Sequence, residues 1–285
     1  MHRIGDPSVH RRILLDRIFK AVMILLSFAC ILPMFLILFF ITWHGIGVIN
    51  WHFLTRLPAP VGETGGGISN AIIGTFILIL LSSVMAVPLG VLTGIYLSEY
   101  RKGKLHYFSR LSIEILMGIP SVVIGIVAYI WIVMPFGSFS ALSGGVALAV
   151  MMLPVIVMST EETLKLIPDS LKEASLALGV PYPRTIMKVI VPAGLSGIVT
   201  GILLSVARVA GETAPLLFTA FGSPFMALGI MKPVNSLPLM VFNYATSPYP
   251  EWHALAWGAS FVLLVSVLSL NLLAKVGTRK WKVQF

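Results

Sequence analysis

Six stretches of this sequence are each apolar over twenty or more residues, and no chain of that kind can hide them all in the core of a 285-residue soluble domain. They run from Ala21 to Trp43, Ala71 to Leu97, Leu111 to Met134, Phe139 to Thr160, Leu195 to Phe221 and Ala254 to Ala274. A bilayer core about 30 Å thick needs about 20 residues of helix, so six transmembrane helices and an all-α integral membrane fold are expected. Composition agrees: 57% of residues are hydrophobic and 11% charged, against about 25% charged in soluble proteins. The first stretch is too long for a secretory signal and lacks a small-residue cleavage site after it, so it reads as a retained anchor.

The formal charge of +9 could suggest nucleic acid, but no polar, water-soluble module carries it, and no nucleic-acid partner is expected. It reports topology instead. Seventeen Lys and Arg fall in the N-terminal tail, the second–third and fourth–fifth connections and the C-terminal tail, against two, Arg56 and Lys232, on the opposite side. Both termini are therefore expected in the cytoplasm. The division is a tail at 1–20, one permease-sized membrane domain at 21–274 with an inner loop at 161–194, and a tail at 275–285. Trp43, Trp51, Trp252 and Trp257 suit an outer aromatic belt, and the short apolar run Leu237 to Tyr244 suits the membrane interface or a partner. Cys30 lies alone in an apolar run, so no disulfide within the chain is possible. The histidines lack metal-site spacing, and no metal is expected.

In the inner loop, Pro168, Asp169 and Ser170 are helix-start signals, Glu173 follows Ser170 at capping-box spacing, and Gly179 can end the helix in a left-handed conformation. Leu171, Ala174 and Leu178 against Lys172 and Glu173 make this segment amphipathic. In the fifth span, Arg208 and Glu212 stand four apart and would share one helical face. An arginine near mid-span costs at least about 2.5 kcal/mol, so it should face a polar cavity, and its fork suits a tetrahedral oxyanion. Gly211 and Pro215 imply a kink here. Arg110 and Glu114 read as an interfacial ion pair, and Gly90-x-x-x-Gly94 with Gly197-x-x-x-Gly201 as close-packing seams.

Glu173-Ala174-Ser175, then Gly179, then Val189-Ile190-Val191-Pro192 resembles the EAA loop of ATP-binding-cassette (ABC) importer permeases, with its spacing intact and Ser175, Val189 and Val191 as conservative departures. The resemblance implies a type I (MetI-like) permease whose loop docks on a separate ATPase, with Glu173, Ala174, Ser175, Gly179 and Pro192 in the coupling. Consistently, the chain has no phosphate-loop motif of its own, so ATP and Mg would be used by the partner and no cofactor by this chain. Three further stretches, Gly66 to Thr75, Gly118 to Gly125 and Ala207 to Thr219, resemble the PstA family of phosphate permeases. That resemblance implies no enzymatic activity in the chain itself, a substrate path past Arg208, Glu212 and Thr213, and an inner-membrane location. It also implies a sister permease (PstC), a dimeric ATPase (PstB) and a phosphate-binding protein (PstS). An arginine-lined path would serve sulfate or molybdate equally. A transporter or channel working alone would need ion-coupling residues beyond one acid–base pair, and a receptor or scaffold would leave Arg208 without purpose.

Overall fold

The computed structural model describes residues 7–63, 65–100 and 102–279. Arg3, Arg101, Lys280 and Lys282, counted above toward the inner-face charge, lie outside them. Twelve helices follow in order: α1 (Pro7–Gly45), α2 (Trp51–Thr55), α3 (Ser69–Glu99), α4 (Lys104–Gly118), α5 (Ser121–Phe136), α6 (Ala141–Lys165), α7 (Asp169–Ala177), α8 (Tyr182–Ala193), α9 (Leu195–Ala210), α10 (Ala214–Thr219), α11 (Leu237–Ala245) and α12 (Pro250–Arg279). Among the described residues, extended pairing is limited to two isolated bridges, Pro58 with Gly66 and Phe221 with Val234.

Four helices, α1, α3, α6 and α12, are long and apolar enough to cross a bilayer unbroken. Two further spans are bent. The third expected span, Leu111 to Met134, is not one helix: α4 and α5 meet at 106°. Its break follows from Pro120, which excludes helical geometry at the residue before it, and Ile119 is extended with φ −74° and ψ 127°. The fifth is bent twice. α8 and α9 meet at 67° across Gly194, and α9 stops at Ala210 rather than running on to Phe221. Within α5 and α8 the ladder widens to a π turn, where the amides of Met134 and Val191 bond to Tyr129 and Ile186. Each π turn comes directly before a proline, Pro135 or Pro192, whose ring would clash in an unmodified α-helix.

The core is built around α6, two-thirds buried in its most apolar segment, and the adjacent α3. Leu148, Met152 and Ile156 of α6 pack with Leu78 and Ala86 of α3, Ile124 and Ala128 of α5, and Val206 and Val209 of α9. In lipid, helix association depends on fit more than on water exclusion, so small residues decide the approach. A Cβ at Gly94 would fall 2.6 Å from that of Thr160, so the Gly90–Gly94 seam lets α3 lie directly against α6.

A second core caps the side of the bundle that carries the two long loops at 45–70 and 222–253. Phe53, Ile68, Leu237, Met240 and Leu255 are buried together. The run Leu237 to Tyr244 thus becomes α11, capped by Ser236, whose hydroxyl accepts from the amide of Leu239 at 3.3 Å; Leu237, Met240 and Tyr244 are buried in the chain's own core, while Phe242 stays exposed. Trp252 stacks on Tyr244 at 4.5 Å and Trp257 on His44 at 4.9 Å, while Trp43 and Trp51 remain exposed. Helix α1, about 58 Å long at 1.5 Å per residue, touches the rest near Gly45, and its apolar side chains stay exposed over most of its length. It begins at Pro7, so most of the expected N-terminal tail continues the helix.

Candidate transport path and coupling loop

Arg208 sits in the last turn of α9, where the free carbonyls at a helix C-terminus favour a cation. The amides of Gly211 and Glu212 turn back to the carbonyls of Arg208 and Val209 at 3.3 and 3.1 Å, tightening and ending the helix. The chain resumes as α10 at Ala214, with Pro215 in its first turn, where a missing N–H does no harm. The kink expected from Gly211 and Pro215 is therefore a full break. Its consequence is that Arg208 and Glu212 do not share a helical face, and the expected i, i+4 ion pair is not formed. Arg208 is exposed and makes no ion pair among the described residues. Glu212 and Thr213 lie in the break, half-exposed, and the Thr213 hydroxyl caps nothing. This arrangement leaves a guanidinium, a carboxylate and a hydroxyl at one interruption of an apolar helix.

Elsewhere the buried charges are paired. Glu161, 1% exposed near the end of α6, receives both carboxylate contacts from Arg110 Nη1 of α4, at 2.7 and 2.8 Å, and Lys165 Nζ at 2.5 Å. Arg110 Nε binds Glu114 at 2.8 Å, so the interfacial pair expected from sequence is present but belongs to a four-residue cluster.

The amphipathic inner-loop segment forms α7, starting at Asp169 after Pro168. The capping box does not form: Ser170 falls inside the first turn, and no side chain caps the helix. Asp169 in that first turn still complements the helix dipole. The other end is as expected. Gly179 takes φ +77°, its amide bonds to Leu176 at 2.9 Å, and the amide of Val180 bonds to Ser175 at 3.3 Å. The apolar face, however, is divided. Leu171 packs toward Ile186 and Ile190 of α8, whereas Ala174 and Leu178 are exposed, Leu178 by 84%. Ser175 is buried, its hydroxyl 2.9 Å from that of Thr185, which joins α7 to α8. Glu173 is exposed, and Pro192 ends the π turn of α8.

Sequence reading missed Glu99, at the C-terminal end of α3. Its carboxylate binds Lys172 Nζ of α7 at 2.7 Å and accepts from the Tyr182 hydroxyl of α8. Burial, together with this carboxylate, pushes the Tyr182 phenol up to about 12, so it stays protonated and donating. The signal available was an acid following an apolar run and standing next to a basic loop; the partners, 73 and 83 residues away, leave no local trace. No group of three or more potential metal ligands occurs among the described residues.

Residues 86–283 match the family model described as the binding-protein-dependent transport system inner membrane component. The chain is 43% identical over 241 residues to the phosphate transport system permease protein PstA of Yersinia pestis, covering 84% of this chain and 82% of that one. It is 36% identical over 268 residues to the probable phosphate transport system permease protein PstA of Methanocaldococcus jannaschii, covering 93% and 95%. In fold it is similar to a chain of the inward-facing MetNI methionine ABC transporter, with TM-score 0.57 and 22% identity over 75% of this chain and 94% of that one. A bundle of continuous and bent spans with a short exposed helix between the fourth and fifth, matched across most of its length by such relatives, makes this multi-pass membrane chain a member of the PstA family of ABC-importer permeases.

Proposed function

We propose that this chain translocates inorganic phosphate across the cytoplasmic membrane as one permease of a heterodimer. Its sister permease, PstC, would complete the path, a PstB dimer would hydrolyse ATP with Mg, and PstS would deliver phosphate from outside. The observation that carries the reading is the identity of 36–43% to named phosphate permeases, extending over four-fifths or more of the chain. The geometry suits the role. Exposed Ala174 and Leu178 give α7 an apolar face with nothing of its own chain upon it, as a helix that docks on a separate ATPase requires. Among the described residues Arg208 has no carboxylate partner, which leaves the cation free to meet a substrate anion. Glu212 and Thr213 border the same break. In this structure Glu212 does not hold Arg208, so the arginine needs no release before it meets phosphate.

Phosphate, sulfate and molybdate all present tetrahedral oxygens, so charge alone does not select among them. The complex reconstituted in proteoliposomes should raise its ATP hydrolysis with phosphate-loaded binding protein and leave it near basal with sulfate or molybdate. Stimulation by sulfate equal to that by phosphate would replace the substrate.

On the charge distribution, the proposed orientation has the 222–253 loop outside and α7 inside. In a Cys30→Ala background, Leu228→Cys should react with an impermeant maleimide added to intact cells, and Leu178→Cys should not. Both positions are exposed, by 72% and 84%, so access decides the labelling. The opposite pattern would invert the chain and remove α7 from the ATPase.

A further inference from the structure

Helix α7 is joined to the membrane helices by two covalent routes, each with a joint. Leu166, Ile167 and Pro168 lead back to α6, and the Gly179 turn leads on to α8, which itself bends by 67° into α9 across Gly194. A displacement of α7 can be absorbed by rotation at such joints before it reaches the path. One further connection has no joint in it. Lys172 on α7 and Tyr182 at the start of α8 both bind the carboxylate of Glu99, the last residue of α3. That carboxylate is 6% exposed, and Lys172 Nζ also stands 5.9 Å from the centre of the Tyr182 ring.

A buried carboxylate drawn away from its cation is left uncompensated in a medium of low dielectric, so separation is opposed far more strongly than at a surface pair. When α7 and α8 move, the end of α3 is held to them. Helix α3 in turn cannot slide freely on α6, because Gly90 and Gly94 bring its backbone against Ile156 and Thr160. The inner end of α6 is itself fixed to α4 through Glu161 and Arg110. We infer that Glu99 is a positioning residue for transport: it delivers the movement of α7 to the α3–α6 pair directly, bypassing the Gly194 joint. This rests on the reading of α7 as the helix that docks on the ATPase.

The test uses the whole complex in proteoliposomes, with phosphate uptake and ATP hydrolysis measured in the same vesicles. Glu99→Gln keeps the size and the acceptor for Tyr182 but removes the charge. Phosphate moved per ATP hydrolysed should fall tenfold or more, while the ATPase still copurifies in normal amount. Lys172→Met should do the same, and serves if Glu99→Gln does not insert. The exchanged pair Glu99→Lys with Lys172→Glu should recover most of the ratio, which a loss of packing would not allow. An unchanged ratio in the single variants overturns the proposal. Crosslinking of Leu178→Cys to cysteines on the ATPase checks the docking separately. A crosslink together with an unchanged ratio sinks the role of Glu99 alone, whereas no crosslink at any ATPase position sinks the docking and the role of Glu99 with it.

Discussion

Valine in place of Gly179 should lower phosphate uptake about tenfold while leaving the protein inserted at normal levels. The reason is local. Gly179 holds φ +77°, and a Cβ there would meet nothing within 4 Å, so space is not the obstacle; the backbone is. The left-handed conformation costs an L-residue roughly 1–2 kcal/mol, and more for a β-branched side chain. Since about 1.4 kcal/mol is a factor of ten in population, the turn that ends α7 and returns the chain to α8 would be re-formed in most molecules. The exposed face of Ala174 and Leu178 would then be presented at a different angle to the ATPase, and hydrolysis would be lost from the complex or run uncoupled. Asparagine adopts the left-handed region readily, so Gly179→Asn should keep most of the uptake. Equal uptake by Gly179→Val and the parent at matched expression would remove Gly179 from the coupling.

What could be read from the sequence was what lies close along the chain. Length and hydropathy located the four continuous spans, and the glycine at 179 located the end of α7, because each depends on residues within one or two turns. Hydropathy reports composition and not direction, so the 106° bend at Pro120 was concealed within an apolar run that looked continuous from Leu111 to Met134. The Arg208–Glu212 pair failed for a related reason. Spacing of four places two side chains on one face only while the helix persists, and here, ahead of Pro215, it ends at Ala210, before Glu212, and resumes at Ala214. The capping box at Ser170 failed through register, since with Pro168 at the N-cap the helix starts two residues too early for it. Glu99 and the Arg110 contact of Glu161 left no local trace because the partners Lys172, Tyr182 and Arg110 lie 51 to 83 residues away, whereas the Glu161–Lys165 pair, four residues apart, was within reach of a local reading.

The largest effect is expected at Arg208. A guanidinium carried into an apolar helix without a carboxylate costs at least about 2.5 kcal/mol, and the chain offers it none among the described residues. On the proposed path, the same absence is useful. The cation is then free when phosphate arrives, can donate to two oxygens at once, and offsets part of the desolvation of the anion. Removing one partner of such a contact costs about 3–5 kcal/mol, which corresponds to a hundredfold or more in rate at about 1.4 kcal/mol per decade. Arg208→Lys keeps the charge but loses the fork, and should fall between. Glu212→Gln removes no ion-pair partner of Arg208 among the described residues and should be the milder change. The decisive measurement is uptake of radiolabelled phosphate by cells lacking other phosphate importers and carrying Arg208→Gln. Uptake at least a hundredfold below the parent, with the ATPase and sister permease still copurifying in normal amounts, is the expected result; normal uptake would show that phosphate does not pass Arg208.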